Sequence, residues 1–181
     1  MNVLNPENSL LLVIDVQEKL VNALDKNIIV KRVSNLVKSA RLLEIPVVVT
    51  EQYPKGLGAT VQEVSSEFPE CTPVFEKTSF NALDEEGVLE KIKSYNKKQI
   101  VICGIETHIC VHQTAAALLR EGFEVYVVKD ACASRSKYEF KQGIELMAVN
   151  GAKISCVEIV LFEWLRTAKN PHFKEIQALI K

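Results

Sequence analysis

The sequence is short of several things, and each shortage removes a class of function. Charge of one sign is missing: 22 Lys and Arg stand against 23 Asp and Glu, a formal net charge of -1 over 181 residues. No overall basic field therefore argues for nucleic acid or an anionic membrane surface as partner. Long apolar runs are missing as well. The longest early one, "LLLVI" at 10–14, is followed at once by Asp15 and preceded by no basic segment, so it reads neither as a secretory signal nor as a membrane span. A cysteine framework is also absent. The five cysteines, at 71, 103, 110, 132 and 156, are odd in number and none sits in a C-x-x-C frame. Without an export signal, disulfides are not expected and the cytoplasm is the expected compartment. Internal repeats and low-complexity tracts are missing too. Small molecules or proteins are the expected partners.

What is present suits one globular domain over residues 1–181, with 48% apolar and 25% charged residues. Continuous apolar runs at 10–16, 45–51, 73–77, 99–105, 124–131 and 152–157 read as strands covered on both faces. Helical patterns lie between them: Ile29, Val33, Leu36, Val37, Ala40 and Leu43 share one face, as do Phe140, Ile144 and Met147. Ser136 with Glu139 has the spacing of a capping box, Gly122 and Gly151 suit helix ends, and Asn170-Pro171 suits the start of a closing helix. Alternating strands and helices predict an open, mostly parallel α/β sheet. The stretch 52–72, with two glycines and two prolines, breaks this rhythm and is expected to be a lid or binding segment.

In such a sheet, reactive side chains gather beyond the carboxyl ends of the strands. Those exits carry Asp15, Glu51 to Tyr53, Lys77, the "ETHIC" stretch (106–110) and Asp130 to Arg135. A carboxylate, an amine and a thiol could thus share one pocket. Asp15 follows three apolar residues, where a carboxylate needs a cation or donors close by. Cys110 stands at the handover from strand to helix, a position that can lower a thiol pKa to between about 3.5 and 7.5. Read alone, it is foremost a candidate for core filler, the commoner role of a cysteine, and only then for metal ligand or half of a disulfide. The metal reading draws on His108, Cys110 and His112. On a helix, however, Cys110 lies about 200° round from His108, so one ion cannot take all three.

Three stretches in order, "VIDVQEKL" with Asp15, "FEKTSF" with Lys77 and "CGIETHICVHQTA" with Cys110, resemble the isochorismatase-like cysteine hydrolase family. "LLEIPVVVTEQYPKGLG", "VVKDACASRS" and "PHFKEIQALIK" are similar to its subgroup of isochorismatase domain-containing proteins. The resemblance implies a three-layer α/β/α sandwich, Rossmann-like, with a six-stranded parallel sheet in the order 3-2-1-4-5-6. It implies Asp15 as general base, Lys77 as the cation beside it and Cys110 as nucleophile. It also implies a cis peptide between Ile105 and Glu106, with the backbone N–H groups of Glu106 and Cys110 as oxyanion donors. Homo-oligomers, dimers or larger, are common in the family and are expected here.

Metal-dependent nicotinamidases of the family carry D-x-H after strand two. Here Gln52 and Pro54 fall near those two positions, neither being a zinc ligand, so no metal and no cofactor are expected. Isochorismatases proper lack the cysteine, so a small amide, ureido or acyl substrate is expected instead. Gln17, Tyr53, Phe80 and Ile105 are candidate pocket walls. Arg135 could hold a substrate carboxylate, cap a helix or pair across an interface, and Cys132 could resolve an oxidised Cys110. A catalytically silent scaffold on the same fold and a thiol redox sensor are the alternatives.

Overall fold

The computed structural model describes residues 3–24 and 26–181, with the backbone alone at positions 26 and 27. The chain opens with strand β1 (Ser9–Ile14), the short helix α1 (Glu18–Asn22) and the long helix α2 (Lys26–Leu42). Then come β2 (Val47–Gln52), two single-turn helices α3 (Pro54–Leu57) and α4 (Gln62–Ser65), β3 (Val74–Lys77) and α5 (Val88–Ser94). Strand β4 (Gln99–Ile105) leads into a π-helical turn at Thr107–Val111 and helix α6 (His112–Arg120). The chain closes with β5 (Glu124–Ala133), α7 (Lys137–Val149), β6 (Lys153–Ser155), α8 (Val157–Leu165) and α9 (Phe173–Ala178).

The six strands form one sheet in the order β3-β2-β1-β4-β5-β6, every neighbouring pair parallel. This is the expected Rossmann-like order. Its cause is visible in β1, whose six residues SLLLVI are all buried. Successive side chains point to opposite faces, so Leu11 and Val13 join the layer built with α2 and α8, while Leu10, Leu12 and Ile14 join the layer of α5, α6 and α7. Each fully buried aliphatic side chain contributes about 1.5–3 kcal/mol. Two such layers, rather than helix propensity, hold the sandwich together.

Several local expectations need adjustment. The segment after β2 is not loose: besides α3 and α4 it forms an antiparallel bridge between Gln17 and Thr60, and Glu51 Oε1 accepts from both the N–H and the hydroxyl of Thr60 at 2.7 Å. Ser136 caps α7 by accepting from the Glu139 N–H at 3.3 Å, but Glu139 Oε2 is buried without a hydrogen-bond partner, so that oxygen does not complete the box. Asn170 closes a turn by accepting from the His172 N–H at 2.9 Å, and α9 begins only at Phe173.

Candidate active site

The exits of β1, β2, β3 and β4 meet at one place. β1 and β4 approach so closely there that Gly104, with φ at 132°, has Ile14 O only 2.0 Å from where a Cβ would stand. Only glycine fits that position. Asp15 follows Ile14 in the left-handed region at φ 51°, which Asp tolerates better than most residues. Its N–H donates to Thr50 O at 3.1 Å, and its own carbonyl accepts from the Gln17 N–H at 2.8 Å. The side chain is fully buried.

The charge on that carboxylate is matched on both oxygens. Thr50 donates its hydroxyl to Asp15 Oδ1 at 2.7 Å, and Lys77 Nζ lies 2.7 Å from Oδ2, both side chains being 0% exposed. The strand order makes this possible only across a gap, because β3 borders β2 and not β1. Register closes the gap: Ile14 is level with Thr50 in β2, and Gln52 with Lys77 in β3. Gln52 Oε1 accepts from Lys77 Nζ at 2.5 Å, its Nε2 donates to Thr78 O at 2.8 Å, and Ser79 O accepts from Lys77 at 3.2 Å.

Cys110 enters from the π-helical turn, 7% exposed, close enough to Asp15 and Lys77 for both charges to act on its thiol. The turn is seated on α7 by Gly143, where a Cβ would stand 2.9 Å from His108 Cα. The lowered thiol pKa expected from the sequence is not what this environment produces. Burial pushes the thiol up, the Asp15 carboxylate pushes it further, and Lys77 recovers only part, leaving it at about 12. The resting group is a neutral thiol beside a carboxylate.

The other expected site residues fall into two groups. Tyr53 (57%) and Phe80 (53%) are exposed and open toward solvent at the exits of β2 and β3. Gln17 and Ile105 are fully buried, and the Gln17 amide is committed elsewhere: Nε2 donates to Gln52 O at 3.0 Å and Gly58 O at 2.6 Å, while Oε1 accepts from the Gln52 N–H at 2.7 Å. Gln17 therefore shapes a pocket only through the loop it holds. The Ile105–Glu106 peptide is cis. The Glu106 carboxylate accepts from the Arg135 N–H at 3.1 Å and lies 3.8 Å from its Nε, so the Arg135 guanidinium has a partner within the chain. Cys132 is buried and its thiol is pushed up to about 12, burial being the main cause.

Thr50, Gln52 and Glu85 are the residues that sequence reasoning missed as parts of the site. Glu85 accepts from the Thr78 and Ser79 N–H groups at 2.7 Å, bonds to Ser79 and Thr78 that hold its pKa down at about 2, and so fixes the turn behind Lys77. A signal existed for Thr50: a polar residue directly after three valines must find a buried partner.

A cleft of about 260 Å³ reaches Lys77 between Tyr53, Pro54, Lys55, Glu76, Thr78 and Glu85. A larger hollow of about 630 Å³, lined by Pro46, Pro69 and Tyr95 among others, lies at the opposite, amino end of the strands and is remote from these groups. His108 and His112 line a separate cavity of about 320 Å³ with Glu145 and Leu146, of which Cys110 is not a lining residue. Among the described residues no group of three His, Cys, Asp or Glu side chains is arranged to hold a metal ion.

Residues 9–159 match the Isochorismatase domain family. The chain is 40% identical to isochorismatase domain-containing protein 2 of Xenopus laevis, over 98% of this chain and 85% of that protein. A structure described as the MAR1 ribonuclease of Caenorhabditis elegans superimposes with a TM-score of 0.94 at 37% identity, covering 99% of this chain and 92% of that one. YcaC of Escherichia coli, described as an octameric hydrolase of unknown specificity, gives 0.89 at 25% identity, over 98% and 94% of the two chains. YcaC of Pseudomonas aeruginosa, solved with hexane-2,5-diol and covalent acrylamide, gives 0.92 at 26%, over 98% and 91%. With its sheet order, its matched domain and these relatives, the chain belongs to the isochorismatase family.

Proposed function

We propose that the protein is a cysteine hydrolase of a small amide, ureido or acyl compound, working without metal or cofactor through a thioester on Cys110. The observation that carries this reading is the buried Lys77–Asp15 pair at 2.7 Å with the Cys110 thiol in reach of both. A buried ion pair costs desolvation that its mutual attraction scarcely repays, so its presence beside a thiol calls for a chemical reason.

In this mechanism the Asp15 carboxylate takes the thiol proton as Sγ bonds to the substrate carbonyl carbon. The tetrahedral oxygen accepts from the Glu106 and Cys110 backbone N–H groups, each such donor being worth about 3–4 kcal/mol. Collapse breaks the C–N bond, and the amine leaves with the proton from Asp15. Water then attacks the thioester carbonyl, giving a proton to Asp15, and cleavage of the C–S bond returns that proton to Sγ. Lys77, 2.7 Å from Oδ2, is the cation that faces the Asp15 carboxylate between proton transfers. Because the thiol rests neutral, its deprotonation belongs to the attack and does not precede it. The covalent acrylamide in the Pseudomonas YcaC, a small electrophilic amide, supports a reactive nucleophile on this frame.

The raised Cys110 pKa also favours a second reading, a silent binding protein on the same frame. The two part on turnover. Wild type and Cys110→Ala are to be compared against a panel of small amides, ureido compounds, thioesters and a short RNA, with intact-mass detection of an acyl adduct. The expected outcome is hydrolysis of at least one small substrate, lost in Cys110→Ala without a change in melting temperature. Undiminished hydrolysis in that variant would sink the mechanism, and no turnover of any compound would favour the silent protein. The nematode relative's description brings RNA into the panel. The net charge of -1 and the carboxylates of Glu76 and Glu85 in the cleft by Lys77 favour a small substrate over a polyanion.

A further inference from the structure

The ammonium of Lys77 has three N–H bonds to satisfy while its side chain is 0% exposed. Gln52 Oε1 at 2.5 Å and Ser79 O at 3.2 Å accept from two of them, and Asp15 Oδ2 stands 2.7 Å away as the opposite charge. Gln52 is the one neutral side chain among them. We propose that Gln52 is the positioning residue of this site, holding Lys77 aimed at Asp15, and that Gln17 is the clamp that holds Gln52.

The orientation of the Gln52 amide is determined by its surroundings. Its oxygen faces an ammonium and its nitrogen faces the Thr78 carbonyl, so turning the amide over would set donor against donor and acceptor against acceptor. The backbone of Gln52 is fixed from the other side, its N–H and C=O both bonded to the single amide of Gln17 at 2.7 and 3.0 Å. Strand register then sets the direction of the side chain, since Gln52 and Lys77 are level partners in parallel strands and partners in register project to the same face. One buried amide at the β1 exit thus fixes a second at the β2 exit, which fixes the cation at the β3 exit. Each link is a hydrogen bond of 3.0 Å or less.

Removing the Gln52 oxygen leaves a buried ammonium one acceptor short. Such an ammonium turns toward another oxygen. Its effect on Asp15 and on the Cys110 thiol then changes, and it changes only by way of Lys77. A residue needed merely for packing would alter stability and leave the thiol's titration alone.

The inference rests on the proposed triad, and the test separates the two. The rate of Cys110 alkylation by iodoacetamide is to be followed by mass spectrometry from pH 6 to about pH 10, bracketing ordinary thiol titration. The proteins are wild type, Asp15→Asn, Lys77→Met, Gln52→Leu and the Gln52→Leu/Lys77→Met double variant, each checked by thermal melting. The expected result is that Gln52→Leu displaces the profile in the same direction as Lys77→Met, by about threefold or more in rate at fixed pH. The double variant should then coincide with Lys77→Met alone, because a residue acting through Lys77 has nothing left to act on. Additive effects, or a Gln52→Leu profile matching wild type, would overturn the inference. Should Gln52→Leu fail to fold, Gln52→Met decides by the same two criteria. If Asp15→Asn itself leaves alkylation unchanged, the triad fails; if it displaces the profile and Gln52 variants do not, only the role of Gln52 fails.

Discussion

Cys110 and Asp15 oppose one another until a substrate arrives. Burial and the adjacent carboxylate both raise the thiol pKa, Lys77 alone pulls it down, and the balance leaves it at about 12. Replacing Asp15 by Asn removes one raising cause while the cation remains, so the folded-state pKa of Cys110 must fall. Asp15→Asn should therefore alkylate faster than wild type at pH 8, with the thiolate fraction rising about tenfold for every pH unit by which the pKa drops. Its hydrolytic turnover should drop by about 10²–10⁴-fold, because the general base is gone. Faster labelling with slower turnover is a combination that simple loss of structure does not give. Slower labelling in that variant would show that Asp15 does not act on the thiol.

At the scale of elements, the site depends on how strands end. Gly104→Ala would drive a Cβ against Ile14 O, 2.0 Å away, at a φ of 132°. It should destabilise the protein by at least about 3 kcal/mol, read as a fall in the urea midpoint. The turn after β3 responds to acid instead. Glu85, held at about 2 by accepting from Ser79 and Thr78, contributes stability that is fully present above its ordinary 4.5 and is lost as pH falls through about 2. The melting temperatures of wild type and Glu85→Gln should differ most above pH 4.5 and converge toward pH 2; a constant difference would show that the carboxylate's charge is irrelevant. The inner strands and the helix ends at Gly122 and Gly151 were legible because burial on both faces and positive φ leave direct marks on composition, whereas β3 and β6, expected to be covered on both faces, are edge strands that leave Val74 and Ile154 exposed. The strand exits carrying Asp15, Lys77 and Cys110 were legible too, while the strand order and the roles of those three residues came through resemblance. The roles of Gln17 and Gln52 were not legible, since an amide's partners depend on register between strands distant in sequence. The thiol's raised pKa escaped for a similar reason: a position near a helix start suggests a lowered value, and only the fold reveals that burial and a carboxylate outweigh it.

For the whole molecule, assembly is the open dimension. Tyr138, Leu146 and Val149 on α7 are 72%, 48% and 84% exposed, three apolar side chains on one helix that a partner subunit could cover. With the octameric YcaC of E. coli as a relative of the same fold, sedimentation should find a dimer or larger species at micromolar concentration, and Val149→Glu should weaken it; a wild-type monomer would refute this. Among the described residues no helix is long and apolar enough to cross a membrane. The central place of β1 also governs how the protein comes into being. Ser9 pairs with Gln99 and Ile14 with Gly104, so the first strand made waits for the fourth before its second edge is covered. Pairing so distant in sequence is slow. Until β4 has been synthesised, a run of buried-type residues, SLLLVI, stands with one edge open to other chains. Fragments ending before Gln99 should accordingly aggregate, and refolding of the full chain should lose yield as protein concentration rises.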